Sequence, residues 1–325
     1  MHKGFVRLAG AIAASAFALG ACVAQAQGYP NRVVRIIVTS TAGGAQDFLA
    51  RLSAEYLKQS LGQPFIVENR TGAGGNIARE YVAKSAPDGY TLLTSTNGLS
   101  INQAMYETLP YDALGSFEPV VLIAYDKLAI GGSALFAPAS LAGLIAYAKE
   151  HPGAVTYASC GNGSLQHLAG EILQRAAQIR LVHVPYKGCP PAMPDALSGQ
   201  VNVIITGVTA LIPHVKSGKI KPYAVIGSKR SSFAPDLPAT AELGLPEVDV
   251  DGWFGLLAPA GTPKEIVEKL NHAVNAMIAS PDARARLARA YLDPIGGTPA
   301  EFSAVIRREI SVFSKVIKAA NIRPE

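Results

Sequence analysis

The segment from Val34 to Asp47 constrains the fold most, because a short apolar run ends there in a Gly-Gly turn that opens directly into an amphipathic helix. An apolar run without polar alternation is typical of a strand buried on both faces of a parallel sheet. Gly43 and Gly44 allow a ligand to approach the main chain closely, and the first amides of the following helix have no intrahelical acceptors. The segment therefore predicts a strand–loop–helix site for an anion, either a carboxylate or a phosphate.

The N-terminus has the layout of a secretory signal peptide. Two basic residues precede an uncharged run over residues 8–21, and Ala24-Gln25-Ala26 offers small residues for cleavage. We predict cleavage after Ala26, which makes residues 1–26 the signal peptide and places the mature protein in the periplasm. The alternative is lipoprotein processing, because Leu19-Gly20-Ala21-Cys22 resembles a lipobox and would make Cys22 a lipid-carrying N-terminus.

The composition is that of a globular protein large enough for two domains, with 325 residues of which 49% are hydrophobic and 16% charged. Without the leader, 27 basic side chains stand against 24 acidic ones, a net charge of +3. The basic residues are dispersed, which argues against nucleic acid as a partner. No later segment offers the ~18 consecutive apolar residues of a transmembrane helix.

Strands and helices alternate in a first α/β unit. A second strand over Phe65–Glu68 leads through the glycine-rich stretch 69–75 into a helix over Asn76–Ser85. A third strand over Tyr90–Thr94 then runs into the polar loop 95–102. Because ligands bind beyond the carboxyl ends of strands in open parallel sheets, this loop is a candidate binding segment.

A second α/β unit and a helical last quarter follow. The predicted elements of the second unit alternate in the order helix Ser140–Glu150, strand Val155–Ala158, helix Ser164–Ala177, strand Leu181–Val184, helix Pro191–Ser198, strand Val201–Thr206, helix Val208–Ser217 and strand Ile220–Ile226. In the last quarter, Thr262-Pro-Lys-Glu265 and Thr298-Pro-Ala-Glu301 each predict a capping box, and Ser280-Pro281 predicts another helix start.

The last helices need a sheet to cover, and the first unit is the nearest one. We therefore predict that the chain crosses to a second domain near Tyr125 and returns near Val248. Domain 1 then comprises residues 27–125 and 248–325, and domain 2 comprises residues 126–247. The predicted fold class is α/β, with two α/β domains joined by a hinge of two crossings.

A glycine-containing polar loop follows a strand at four places: Thr41–Gly44, Ser95–Ser100, Ser159–Gly163 and Tyr186–Gly188. One such loop is usually only a turn requirement, but four in two facing units indicate a shared cleft that closes on a ligand. The sequence contains no nucleotide-binding loop, no G-x-S-x-G and no H-E-x-x-H motif. It therefore predicts binding without catalysis, cofactor or metal.

Several side chains near these loops allow more than one role. Asp47 caps its own helix, complements the helix dipole or accepts a hydrogen bond from a ligand. His167 faces the cleft or is a hydrogen-bonded structural histidine, and Trp253 is expected to pack beside the hinge. Cys160 and Cys189 form either a disulfide or two unpaired small hydrophobes, and their spacing fits no zinc pattern.

Between Tyr29 and the C-terminus the chain carries a series of ordered motifs: Ala42-Gly-Gly-x-x-Asp47, Gly62-Gln-Pro-x-x-Val-Glu-Asn-Arg70, Gly72-Ala-Gly-Gly-Asn76, Ala86-Pro-Asp-Gly-Tyr90, Leu109-Pro-Tyr-Asp112, Gly161-Asn-Gly-Ser-x-Gln-His-Leu168, Val184-Pro-Tyr-Lys-Gly188, Pro213-His214 and Trp253-Phe-Gly-Leu-x-Ala-Pro-Ala-Gly-Thr-Pro263. Together they resemble the exported solute receptors of tripartite tricarboxylate transporters, the family that includes the citrate receptor and the Bug proteins.

The resemblance implies a monomeric, type II-like two-lobed periplasmic receptor that closes on a small carboxylate and delivers it to the membrane subunits of a transporter. The ligand positions that it implies are Ala42, Gly43, Gly44, Asp47, Thr96, Asn97, Ser159, Gly161, Asn162, Gly163, Ser164 and Tyr186. We add Thr41, His167 and Thr206 to this predicted site. Two alternatives are a receptor for a signalling partner and an exported hydrolase that pairs Cys160 or Ser164 with His167.

The sequence departs from the family pattern at three places. Thr39-Ser-Thr41 stands where Pro-Phe-Pro is usual, which makes the first loop more polar. Asn202 and Thr206-Gly207 stand where an acidic residue and a bulkier segment are common. Cys160 and Cys189 stand where Ser is frequent, after neighbouring strands of one sheet. That placement favours a disulfide, because such loops can bring Cα atoms within the required ~4.4–6.8 Å.

Overall fold

The computed structural model describes residues 28–324 as two sheets with helices packed on their faces. The predicted signal peptide, residues 1–26, and the alternative lipid site at Cys22 lie outside the described residues. The expected α/β class with two lobes is confirmed, because each lobe is built around its own mixed sheet.

The first lobe contains a six-stranded sheet. Its strands are β1 (Val34–Val38), β2 (Phe65–Asn69), β3 (Thr91–Thr96), β4 (Phe117–Asp126), β10 (Gly252–Pro259) and β11 (Asp293–Pro294). The spatial order is β11-β4-β10-β3-β1-β2, with β1 parallel to both β2 and β3 and with β10 antiparallel to β3 and β4. Ile36 and Ile37 are both fully buried, as expected for a strand that is covered on both faces.

Six helices follow or cover the strands of this sheet: α1 (Ala45–Leu61), α2 (Asn76–Ala83), α3 (Gly98–Met105), α8 (Lys264–Ala279), α9 (Pro281–Arg289) and α10 (Pro299–Ala319). The helical spacing of the apolar residues explains their orientation, since Leu49, Leu52 and Leu57 of α1 are all buried in the core.

The second lobe contains a five-stranded sheet and four helices: β5 (Leu128–Ser133), α4 (Leu141–Glu150), β6 (Thr156–Ser159), α5 (Leu165–Ala177), β7 (Val182–Pro185), α6 (Ala192–Ser198), β8 (Val203–Gly207), α7 (Val208–Lys216) and β9 (Ile220–Val225). The spatial order is β7-β6-β8-β5-β9. Because β6 is parallel to both β7 and β8, the loops after these three strands meet at one edge of the sheet.

The chain passes between the sheets in two strand-to-strand crossings. The first lies between Asp126 and Leu128, and the second lies between Val225 and Gly252. Lys127 and Asp251, one from each crossing, form an ion pair with Nζ 2.8 Å from each carboxylate oxygen. This ion pair fixes the two crossings beside each other.

The C-terminal helix α10 adds a third link between the lobes. Phe302 and Ile306 near its start are buried in a core of the first lobe. Phe313 and Ile317 near its end are buried among residues of the second sheet and its helices. The division expected from the sequence placed all of residues 248–325 in domain 1, whereas this helix contributes side chains to both cores.

Two of the three predicted helix caps are present. Thr298 and Glu301 form a reciprocal capping box at α10, and the Ser280 hydroxyl accepts from the Ala283 amide at α9. The capping box predicted at Thr262 is wrong, because its hydroxyl donates to the carbonyl of Pro259 at 2.7 Å and α8 begins without a side-chain cap. The Thr262 hydroxyl is therefore bonded within the preceding turn and does not cap α8 as the motif predicts.

Candidate functional site

The two lobes enclose a cavity of about 540 Å³, here called the interlobe cavity. The first lobe, the crossings and the second lobe all contribute to its wall, which consists of Ala73, Gly74, Thr96, Asn97, Gly98, Ile101, Asn102, Met105, Tyr106, Asp126, Leu128, Asn162, Gly163, Ser164, Leu165, Gln166, Gly252, Trp253 and Phe254. The volume is that of a site for a small organic molecule.

Two helices begin at this cavity from opposite sides. Gly98 is the first residue of α3 in the first lobe, and Leu165 is the first residue of α5 in the second lobe. The amides of Leu165 and Gln166 have no acceptor within the described chain, because only the third amide of α5 is capped by the Ser164 hydroxyl. Each N-terminus carries a partial charge of roughly +0.5, so the pair favours an anion between the lobes.

A buried arginine adds positive charge behind the first-lobe wall. Arg79 of α2 is 1% exposed and makes no ion pair within residues 28–324. Its Nη1 donates to the carbonyl of Gly74 at 2.9 Å, and its Nε donates to the Ser95 hydroxyl at 3.2 Å. A Cβ on Gly98 would lie 2.6 Å from Nη2, so the guanidinium lies directly behind the start of α3. Burial lowers the pKa of Arg79.

The carboxamide of Asn97 holds the first-lobe wall together. Its Nδ2 donates to Glu309 at 2.6 Å and to the carbonyl of Asp251 at 2.9 Å, and its Oδ1 accepts from the Trp253 amide at 2.8 Å. The other Glu309 oxygen accepts from the Trp253 indole, and burial raises the pKa of Glu309 to about 7. Asn97 lines the cavity, but its amide group is already occupied by the fold.

Trp253 lies beside the crossing, as expected from the sequence. It is almost fully buried and packs edge-on against Phe302 of α10, with ring centroids 5.0 Å apart. One part of the residue also contributes to the cavity wall.

In the second lobe a pair of histidines supports the loop before α5. His167 accepts from the Gly163 amide at Nδ1, 3.0 Å away, and stacks on His183 with ring centroids 3.7 Å apart. Burial, together with the charge of the neighbouring His183, lowers the pKa of His167 to about 4, and burial lowers that of His183 to about 4 as well. Both rings are therefore neutral supports at neutral pH, and His167 itself is not in the cavity wall.

Ser159 and the two cysteines also shape this loop. The Ser159 hydroxyl is buried, lies 2.6 Å from His183 Nε2 and accepts from the Gly161 amide at 3.2 Å. The structure joins Cys160 to Cys189 in a disulfide, with Cα atoms 4.2 Å apart. The bond links the loop after β6 to the loop after β7. It therefore restrains the loop that carries the cavity residues Asn162–Ser164, although the cysteines themselves do not line the cavity.

Tyr186 and Thr206 lie in the second lobe but away from the cavity wall. The Tyr186 hydroxyl donates to Asp195 at 2.5 Å, and burial raises the pKa of Tyr186 to about 12. Thr206 is buried in β8, where it pairs with Ala129 of β5. Both residues therefore make contacts within the lobe rather than with the cavity.

The first loop, Thr41–Gly44, lies at the same edge of its sheet as the cavity wall but is exposed to solvent and forms no part of that wall. Asp47 closes the loop on itself: its carboxylate accepts from the Gly43 amide at 3.0 Å, from Arg51 at 2.9 and 3.0 Å and from Asn69 at 3.0 Å. These bonds, led by that of Arg51, lower the pKa of Asp47 to about 2. The carboxylate thus has a structural role, and Gly43 has no free amide to offer.

The structure therefore brings together five of the predicted site residues, namely Thr96, Asn97, Asn162, Gly163 and Ser164, and leaves Thr41, Ala42, Gly43, Gly44, Asp47, Ser159, Gly161, His167, Tyr186 and Thr206 outside the cavity wall. It adds Gly74, Asn102, Asp126 and Gln166, which line the cavity, and Arg79 behind it. The glycine-rich stretch around Gly74 was visible in the sequence. Arg79 and Asp126 carried no local signal, because the burial of Arg79 and the position of Asp126 at the cavity depend on contacts between distant segments.

Comparison with known proteins identifies the family of the chain. A family model described as the tripartite tricarboxylate transporter family receptor matches residues 49–322. The chain belongs to this receptor family. The resemblance that the sequence motifs indicated is therefore confirmed.

This receptor is similar to relatives over almost its whole length. Protein BugT of Bordetella pertussis is 36% identical over 292 residues, which cover 89% of this chain and 90% of the relative. The solved structure of R. palustris Rpa4515 with adipate is 37% identical and covers 91% of this chain and 100% of its own, with a TM-score of 0.78. MatC from Rhodopseudomonas palustris with bound malate is 32% identical and covers 89% and 100%, with a TM-score of 0.74.

The matched family is one of receptors rather than enzymes. The nucleophile–base pair that a hydrolase would need is not formed by the residues considered for it. Cys160 is bonded to Cys189, and the Ser164 hydroxyl donates to the Gly161 carbonyl at 2.7 Å.

Within residues 28–324 no cluster of His, Cys, Asp and Glu is arranged to hold a metal ion, and no helix combines the length and apolarity needed to span a bilayer.

Proposed function

We propose that this receptor captures a small organic carboxylate in the periplasm and delivers it to the membrane subunits of a tripartite tricarboxylate transporter, without chemical change. The observation that carries the proposal is the convergence of two helix N-termini, those of α3 and α5, on one cavity between the lobes. An anion placed there is held by both lobes at once. Binding and closure are thereby coupled.

The chemistry of the cavity supports a carboxylate ligand. Hydrogen bonds from uncharged donors to a charged group contribute about 1.5–3 kcal/mol each, so a few free amides hold a carboxylate without direct contact to a basic side chain. The buried Arg79 adds a favourable field from behind the wall. Two family members of similar fold carry adipate and malate in their structures, and both ligands are carboxylates.

A thermal-shift screen of mono-, di- and tricarboxylates tests the proposal. A ligand at ~100 times its dissociation constant should stabilise the fold by ~2.7 kcal/mol and raise the melting temperature. Recovery of the ligand unchanged after incubation would support a receptor. If no carboxylate raises the melting temperature, the proposal is wrong.

The substitution Gln166→Glu gives the screen a sharp control. Gln166 lines the cavity in the first turn of α5, so a carboxylate there complements the helix dipole but repels an anionic ligand. We expect the melting temperature without ligand to stay the same or rise, while affinity falls by about tenfold or more. Gln59→Glu, at an exposed position of α1, makes the same change in net charge and should leave affinity unchanged.

A further inference from the structure

Arg79 is a buried cation for which the described chain provides no anion. Among residues 28–324 it is the only Lys or Arg that is buried, and it forms no ion pair. Lys127, by contrast, is bonded to both oxygens of Asp251 at 2.8 Å. Burying a charge without a counter-ion is strongly unfavourable, so a fold that keeps one commonly has a functional reason.

The hydrogen bonds of Arg79 all end on uncharged groups. Its Nη1 donates to the carbonyl of Gly74 at 2.9 Å and to Asn76 Oδ1 at 3.4 Å, and its Nε donates to the Ser95 hydroxyl at 3.2 Å. Burial lowers the pKa of Arg79 and the neighbouring Tyr111 hydroxyl opposes this shift, but an arginine keeps its proton in a protein. The guanidinium therefore carries a positive charge that the chain does not balance.

Only a thin wall of backbone separates this guanidinium from the interlobe cavity. Gly74 and Gly98 line the cavity, and both lie against the guanidinium. A Cβ on Gly98 would lie 2.6 Å from Nη2, so the absence of a side chain there brings the wall close to the charge. A ligand atom in contact with Gly98 is then on the order of 6 Å from the guanidinium, where two unit charges still interact appreciably without touching.

We infer that Arg79 is the specificity-determining residue for the charge of the ligand, and that the ligand's carboxylate is the counter-ion that the chain does not supply. The inference rests on the proposed function, because it places the ligand in the interlobe cavity at the start of α3. Backbone amides alone donate to a carboxylate oxygen and to an uncharged carbonyl oxygen alike. The positive charge behind the wall favours the carboxylate over an uncharged ligand of the same shape.

Replacing Arg79 with Met should change affinity and stability in different ways. Methionine removes the unbalanced charge, and the Gly74 carbonyl keeps a second donor, Asn102 Nδ2 at 3.3 Å. The melting temperature without ligand should therefore stay the same or rise. In calorimetric titration of the mature protein at pH 6 with succinate, malate, adipate and citrate, the affinity for each carboxylate that binds the wild type should fall by about tenfold or more.

Two controls isolate the effect of charge at this position. Succinamide and adipamide have the shapes of succinate and adipate without their charge, so their affinities should be the same for the wild type and for Arg79→Met. Arg289→Met, at an exposed position of α9, removes the same charge from the first lobe and should leave the affinity for carboxylates unchanged.

The substitution Arg79→Lys separates the charge from the hydrogen bonds. Lysine keeps a positive charge but lacks the planar set of donors, and a buried lysine holds its proton more readily at pH 6 than at neutral pH. We expect Arg79→Lys to bind the same carboxylates about tenfold or more tightly than Arg79→Met. If Arg79→Met fails to fold, Arg79→Gln replaces it, because a carboxamide is uncharged and can still donate a hydrogen bond.

The outcomes separate the two claims. Wild-type affinity in Arg79→Met, an Arg79→Lys variant that binds no better than Arg79→Met, or an equal loss for carboxylates and amides would overturn the inference and leave the proposed function standing. If the wild type binds none of these carboxylates and no other carboxylate of the thermal-shift screen, the proposed function fails together with it.

Discussion

At the scale of single residues, the second-lobe wall depends on uncharged histidines. His167 holds the Gly163 amide, and His183 stacks on it while contacting Ser159. The pKa of each imidazole is lowered to about 4, below the ~6.5 of an unfolded histidine. As the pH falls below about 6.5, the two histidines bind protons in the unfolded chain but stay neutral in the folded protein. The stability supplied by the pair is thus fully present above pH ~6.5 and is lost toward pH ~4.

Replacing His183 with Asn should make this dependence visible. The substitution lowers the free energy of unfolding at pH 7.5. We expect this difference between variant and wild type to be smaller by about 1–2 kcal/mol at pH 5, because the wild type has by then lost part of the stability supplied by the histidine pair. The comparison uses differences between variants, because Asp126 and Glu309, whose pKa values burial raises to about 7, change stability in the opposite direction. Urea unfolding at both pH values provides the measurement.

The exposed His272 serves as the matched control for that experiment. His272→Asn, at an exposed helix position, should change the free energy of unfolding by about 0.5 kcal/mol or less at either pH. A destabilisation by His183→Asn that stays constant or grows toward pH 5 would contradict the role assigned to the stacked pair.

Some residues of the site could be predicted from the sequence, and others could not. The polar loop at Asn162–Ser164 and the end of β3 at Thr96 could be located from strand and helix periodicity, because local sequence determines both. Asp47 could not be resolved between its structural and ligand-binding roles, because the partners that decide the matter include Asn69, 22 positions away along the chain. Arg79 and Asp126 were missed for the same reason, since only tertiary contacts bury Arg79 and bring Asp126 to the cavity wall.

At the scale of elements, the disulfide ties the loop after β6 to the loop after β7. Cys160 and Cys189 are separated by 29 positions, and closing a loop of that size stabilises a fold by about 3–4 kcal/mol in the chain-entropy estimate. Reduction should therefore lower the free energy of unfolding by about 2–4 kcal/mol. The Cys160→Ser, Cys189→Ser double variant should be equally weakened and insensitive to reductant.

Denaturant unfolding with and without reductant measures this effect. Mass spectrometry of the exported protein after alkylation without reductant provides the independent check. Finding both cysteines alkylated would show that the bond is not formed in the native protein.

Helix caps illustrate how far local motifs predict such elements. Thr298-Pro-Ala-Glu301 and Thr262-Pro-Lys-Glu265 have the same motif, yet only the first forms a capping box. The difference lies outside the motif, in the turn whose Pro259 carbonyl takes the Thr262 hydroxyl. The existence of the helices was predictable from their apolar faces, and the bonding at their ends was not.

At the scale of the whole molecule, α10 joins the cores of the two lobes. Phe313 is 0% exposed and belongs to the second-lobe core, so Phe313→Ala should lower the free energy of unfolding by about 3–5 kcal/mol. The adjacent Val312 is 37% exposed, and Val312→Ala should change the free energy of unfolding by about 0.5 kcal/mol or less. Urea unfolding of the two variants compares them, and equal effects would contradict the bridging role of the helix.

The overall architecture followed from the sequence more securely than the arrangement of the site. Two α/β units and two crossings could be inferred from the order of strands and helices, because connections in such folds are short and regular. Which loops would face each other could not be inferred. The first loop, with its Gly-Gly turn, satisfied every local criterion for an anion site, but the wall of the interlobe cavity is formed by the loop after β3 instead.

In the proposed complex a carboxylate lies between the two helix N-termini, those of α3 and α5. A crystal structure with a carboxylate that raises the melting temperature tests it most directly. We expect carboxylate oxygens within about 3 Å of backbone amides at the starts of both α3 and α5, the geometry of N–H···O bonds. A carboxylate bound instead at the exposed Thr41–Gly44 loop, or outside the interlobe cavity, would contradict it.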